Sequence, residues 1–105
     1  METSASIGFY LPFPKGRQWV GINEVVRLEG QSNYTRCYFR DGSTLTVAIT
    51  LGLFLERVPK GALHRLHRKH IVNPRFVARW CFERNRVLLV TGEEVAIARR
   101  YKQWK

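Results

Sequence analysis

The sequence is poor in acid. Eight Asp and Glu residues stand against eighteen Lys and Arg, and Asp41 is the sole aspartate. A catalytic histidine needs an acid or nucleophile beside it. Asp41 sits in an Asp-Gly turn signal that already accounts for it. Cysteine is scarce too: Cys37 and Cys81 are the only two, and neither has a CxxC neighbour. They read as two reduced thiols rather than a disulfide, redox motif or zinc knuckle. No run of about 18 apolar residues exists, so no helix is expected to span a membrane. Met1–Ser6 lacks the basic start and long apolar stretch of a secretory signal. Repeats, low-complexity tracts and long linkers are absent.

What is present is one domain's worth of globular chain. The 105 residues are 45% hydrophobic and 25% charged, which fits a single packed core. A flexible start over residues 1–8 and one domain over 9–105 are expected. The formal charge is +10, and it is unevenly spread. Up to Arg57, six basic residues nearly balance five acidic ones; from Val58 on, twelve face three. A field of that sign attracts a polyanion. A merely soluble basic surface is the plain alternative. An anionic membrane face would call for a basic amphipathic helix with a broad apolar side, and none is found.

The periodicity is mostly that of strands. Phe9–Phe13 reads as a strand that Pro12 and Pro14 confine to an edge. Lys15-Gly16 turns it back through Gln18–Val20, and Ile22–Val25 makes a single turn. Val25–Glu29 is a strand ended by Gly30. Tyr34–Arg40 and Thr44–Ile49 flank Asp41-Gly42, a hairpin signal of the type I′ kind. Thr50 then caps a short helix near residues 50–58, with Leu51, Phe54, Leu55 and Val58 on one stripe and Pro59 as its stop. That helix carries only Glu56 and Arg57 as charges, so it reads as a core plug and not as a groove reader. Strands are expected again at Leu63–His67, His70–Val72, Phe76–Phe82, Val87–Val90 and Val95–Ala98. Arg99–Lys105 is a basic tail. The expected fold is mainly β with one short helix.

The densest chemistry lies in His64-Arg65-Leu66-His67-Arg68-Lys69-His70-Ile71-Val72-Asn73. Three histidines spaced by three invite a zinc reading. Along one strand, however, such residues point to opposite faces and do not converge. No metal, cofactor or enzymatic reaction is therefore expected. A solvated charged face is the serious alternative. Against it stands the interleaving of inward Leu66, Ile71 and Val72 with clustered Arg65, Arg68 and Lys69. Basic groups supply phosphate contacts, and an amide such as Asn73 can pair bidentately with adenine.

The ordered motifs resemble the LytTR-type DNA-binding domain of bacterial response regulators. They are Glu24–Gly30 with Asn33-Tyr34, Asp41-Gly42, Thr50-Leu51 with Phe54-Leu55, Leu63–Asn73, Gly92, and Ala98–Tyr101. The resemblance covers about Gly16 to Trp104. It implies an elongated set of small antiparallel sheets with one short helix, whose loops enter successive major grooves of bent DNA. It implies sites that are imperfect direct repeats, with a second copy on the adjacent repeat. Carried over, the base-reading positions are Asn33, Tyr34, Asn73 and Arg99. Phosphate contacts fall to Arg65, His67, Arg68, Lys69 and Arg100. Lys69 stands where the family usually has Ser, His70 where an aromatic is common, and Ala98 where Ser is common. Lys69 adds a charge for phosphate, and Ala98 removes a hydrogen bond.

The functional expectation is thus a cytoplasmic, sequence-specific, double-stranded-DNA-binding transcription regulator without membrane association. The alternative is a non-enzymatic RNA- or protein-binding basic β module, in which Tyr34, Tyr38 and Phe39 would stack on unpaired bases. The chain begins at Met1 without room for a receiver or sensor. It reads either as a stand-alone regulator, which an initiating Met1 favours, or as a piece of a longer one whose upstream sensor is unknown.

Overall fold

The computed structural model describes residues 7–104. Most of the expected flexible start, residues 1–6, lies outside the described residues, while Gly8 already opens the first strand. Strands β1 (Gly8–Phe13) and β2 (Gly16–Gly21) form an antiparallel hairpin. Phe9, Leu11 and Val20 point into the core, and Tyr10 and Trp19 face outward. A 3-10 turn at Ile22–Glu24 leads into β3 (Val25–Gln31), β4 (Tyr34–Phe39) and β5 (Thr44–Val47). Helix α1 (Leu51–Arg57) follows, then β6 (His64–His67) and β7 (His70–Val72). The remaining strands are β8 (Val77–Cys81), β9 (Arg86–Leu89) and β10 (Glu94–Ala96), with a closing 3-10 segment at Arg99–Trp104.

The middle layer is a five-stranded antiparallel sheet in the order β5-β4-β3-β7-β6. Its central strand β3 buries Val25 and Leu28 on one face and Val26 on the other. On one face, Val25, Leu28, Cys37, Val47 and Ile71 pack with Leu51 and Phe54 of α1 and with the β1–β2 hairpin. Phe9 and Phe54 meet edge to face at 5.4 Å. On the other face, Val26, Leu66 and Val72 pack with Val87, Leu89 and Val95 of the three-stranded sheet β10-β9-β8. The helix is the plug that its apolar stripe predicts, with Thr50 Oγ1 accepting from the Leu53 amide as its N-cap.

A polar latch joins the two larger sheets. Arg27 on β3 donates to both carboxylate oxygens of Glu93, at 3.3 and 3.0 Å, and to Glu29 at 3.3 Å. Its guanidinium lies 3.7 Å from the centre of the Tyr38 ring. Burial opposes its charge, but the hydrogen bonds and field of Glu93 prevail and hold Arg27 protonated above its ordinary range.

The Asp-Gly turn differs from its expected geometry. A type I′ turn needs positive φ at both central residues, yet Gly42 (φ 91°) has it and Asp41 does not. The Gly42 amide instead closes onto Phe39 O at 3.0 Å, and Phe39 N–H donates to Ser43 O at 2.9 Å. Asp41 caps the loop by accepting from the Ser43 amide and hydroxyl, which holds its carboxyl below the usual range. The β9–β10 turn repeats this form: Gly92 (φ 95°) closes onto Leu89 O, and Leu89 N–H reaches Glu93 O. The long strand expected over Phe76–Phe82 is also shorter. Pro74 and the Asn73 side chain start a 3-10 turn at Pro74–Phe76, and a second, Phe82–Arg84, ends in left-handed Asn85.

Candidate nucleic-acid interface

Three segments far apart in sequence meet at one end of the central sheet. The first is the two-residue turn Ser32-Asn33, which joins β3 to β4 beyond the Gln31–Tyr34 pair. Ser32 adopts a left-handed φ of 56°, and Asn33 and Tyr34 are exposed. Tyr34 is 51% accessible. The second segment is the Arg68-Lys69 turn between β6 and β7, with both side chains exposed. It is tied to the first hairpin by a 2.9 Å hydrogen bond from Gly30 N–H to Lys69 O. The third is the closing 3-10 segment, which presents Arg99 and Arg100 to solvent. It is fastened to β6 by the Ala98 amide, which donates to Leu66 O at 2.7 Å.

Between the first two segments and the start of α1 lies a shallow basic groove of about 220 Å³. Its walls include Ser32, Thr50, Gly52, Arg65, Arg68 and Lys69. Gly30 permits the close approach of α1 to β3: a Cβ there would stand 2.9 Å from Leu51 Cδ1. Ser32, Thr50 and Gly52 are wall residues that sequence reasoning missed. Ser32 and Gly52 are unremarkable in their own stretches and Thr50 reads only as a helix cap; the packing of Leu51 on Gly30 brings them beside the basic turn.

The structure does not give Asn73 the base-reading place expected of it. The residue is 1% accessible. Its amide nitrogen donates to Ile22 O at 3.0 Å and Val25 O at 2.9 Å, while its side-chain oxygen accepts from the Arg75 amide at 3.0 Å. Both amide hydrogens are spent inside the protein, so neither can reach a base edge. Asn73 instead stitches the end of β7 to the 3-10 turn before β3.

The histidines also depart from expectation. The β6–β7 turn makes His67 and His70 cross-strand partners, with ring centres 5.2 Å apart. Residues spaced by three diverge along one strand, but a turn between them brings His67 and His70 together. His64 stands apart, edge-on to Trp80 at 6.4 Å. His67 Nδ1 accepts from the Lys69 amide at 3.1 Å, so Nε2 is the ring nitrogen not engaged in that bond. Burial pushes the His70 pKa down, against the opposing pull of Glu29. Of the aromatics considered for stacking, Tyr38 lies under Arg27 and Phe39 stacks on Phe13 at 6.1 Å. Cys37 is fully buried, and burial pushes its thiol up to about 12.

Comparison with known proteins accords with this architecture. Residues 17–103 match the family model of the LytTr DNA-binding domain. No curated protein matches the chain. Among solved structures, the fold is similar to the LytTr DNA-binding domain of a protein described as a methyl-accepting/DNA response regulator from Bacillus cereus. The TM-score is 0.76 at 23% identity, over 93% of this chain and 92% of that one. The family match spans most of the sequence, and the chain belongs to the LytTR DNA-binding domain family.

Proposed function

We propose that this chain is a sequence-specific duplex-DNA-binding domain of a bacterial, cytoplasmic transcription regulator. The observation that carries the proposal is the meeting of three non-adjacent basic or polar loops at one end of the central sheet. A solvated charged face does not require that its loops be tied together by backbone hydrogen bonds such as Gly30 to Lys69 and Ala98 to Leu66. Family membership supports DNA as the polyanion. No helix among the described residues is long and apolar enough to cross a membrane.

Each loop supplies a group of suitable chemistry. Asn33 offers an amide for adenine, with Tyr34 beside it, and the Arg99 guanidinium suits guanine O6 and N7. In the middle loop, the burial of Asn73 passes the reading role to exposed Arg68. Lys69, Arg100 and His67 fall to phosphates. Loops rather than α1 therefore enter successive major grooves, and two copies occupy the two halves of an imperfect direct repeat.

Selection of bound duplexes from a random pool tests this reading. The wild-type protein should recover a repeated motif, and Arg68→Ala should broaden preference at one set of base pairs, at a cost of about 1–3 kcal/mol in discrimination. Affinity should fall with salt at a log–log slope of about 0.9 per phosphate contacted. Tighter binding to single-stranded RNA than to every duplex would overturn the proposal in favour of an RNA-binding module.

A further inference from the structure

Arg65 has the charge and place of a phosphate contact, yet its hydrogen bonds go to the protein's own backbone. Nε donates to His67 O at 3.2 Å, and Nη2 donates to Arg68 O at 2.6 Å. Two nitrogens of one rigid, planar fork thus hold two carbonyls of the turn that carries Arg68 and Lys69. The guanidinium carbon also lies 5.8 Å from the centre of the Tyr101 ring, on the segment that carries Arg99. Arg100 lies on the same ring at 5.3 Å. One side chain therefore touches two of the three proposed reading loops.

We propose that Arg65 is a positioning residue for DNA readout: it fixes the β6–β7 turn against the C-terminal segment, so that Arg68 and Arg99 address the duplex in a set relation. This rests on the DNA-binding reading above. The physical reason is geometric. The β6–β7 connection is two residues long, and the carbonyls of His67 and Arg68 both lie within hydrogen-bond reach of one guanidinium. A guanidinium spans them; an ammonium is a point donor and does not present two nitrogens in a fixed fork. Lysine would preserve the charge at position 65 and lose the clamp.

Charge and clamp separate in the experiment. Arg65→Lys and Arg65→Gln would be titrated with the selected duplex and with a random duplex over a salt series, after thermal unfolding shows both variants folded. The expected result is that the two variants behave alike. Each loses at least about tenfold in affinity for the selected duplex, broadens preference at the base pairs facing both Arg68 and Arg99, and keeps the wild-type salt slope on random duplex. Amide exchange at Lys69 and Tyr101 should accelerate in both, without DNA. If lysine restores wild-type discrimination while glutamine lowers the random-duplex salt slope by about 0.9, Arg65 is a phosphate contact and the proposal is overturned. Unchanged exchange at Lys69 and Tyr101 would also overturn it. If wild-type protein itself prefers no duplex, the DNA reading fails. Accelerated exchange would then mark Arg65 as a clamp without a readout role, which is a distinguishable result.

Discussion

At the scale of single residues, Asn73 teaches the most. From sequence, an Asn at an Asn-Pro break beside a basic run is chemically suited to reading adenine. Structurally, the same break is why it is buried: Pro74 cannot donate, and the Asn73 side chain supplies the cap that the turn needs. Composition cannot distinguish an amide that faces DNA from one that faces two carbonyls 48 and 51 residues away. Asn73→Ala should therefore cost about 2–4 kcal/mol of stability, read as a lower denaturant midpoint at unchanged slope. Loss of DNA preference in a fully stable variant would contradict this. His70 gives a second residue-scale prediction. Its folded pKa lies below the ordinary 6.5, so the unfolded chain takes up the proton more readily. Stability should fall on acidification from 6.5 downward and level off above it. His70→Gln should flatten that dependence in urea unfolding followed across the window; an unaltered profile would exclude His70 as its source.

At the scale of elements, most of the fold was legible because its signals are local. Pro12 and Pro14 confine β1 to an edge, the Leu51–Phe54–Val58 stripe places α1, and glycines mark the hairpin turns. Turn geometry was less legible, since the Asp41-Gly42 pair serves two hairpin types and the Asp41 cap on Ser43 decides between them. The groove was legible only in its basic wall, Arg65, Arg68 and Lys69. It depends on the absent side chain of Gly30, a fact about contact with Leu51 and not about backbone freedom. Gly30→Ala should force Leu51 and the start of α1 away from β3. The expected cost is about 1–3 kcal/mol in stability, with weakened duplex binding. A variant with wild-type melting temperature and affinity would show that the groove tolerates the shift.

At the scale of the whole molecule, the charge asymmetry of the sequence becomes a surface. The basic second half supplies β6, the β6–β7 turn and the C-terminal segment, and the near-neutral first half supplies the hairpin and helix beside them. Sequence order hides this arrangement, because β7 enters the sheet next to β3, more than forty residues upstream. The opposing candidate is the outer face of the β1–β2 hairpin. There exposed Tyr10 and Trp19 pack at 5.2 Å and Arg17 lies over Tyr10. It has aromatic surface and charge but no share in the three-loop meeting. Amide chemical-shift mapping of the labelled protein with its selected duplex separates the two faces most directly. The predicted changes centre on Ser32-Asn33, Arg68-Lys69 and Arg99–Tyr101, with Tyr10 and Trp19 unmoved; changes centred on Tyr10 and Trp19, with the three loops silent, would contradict the account.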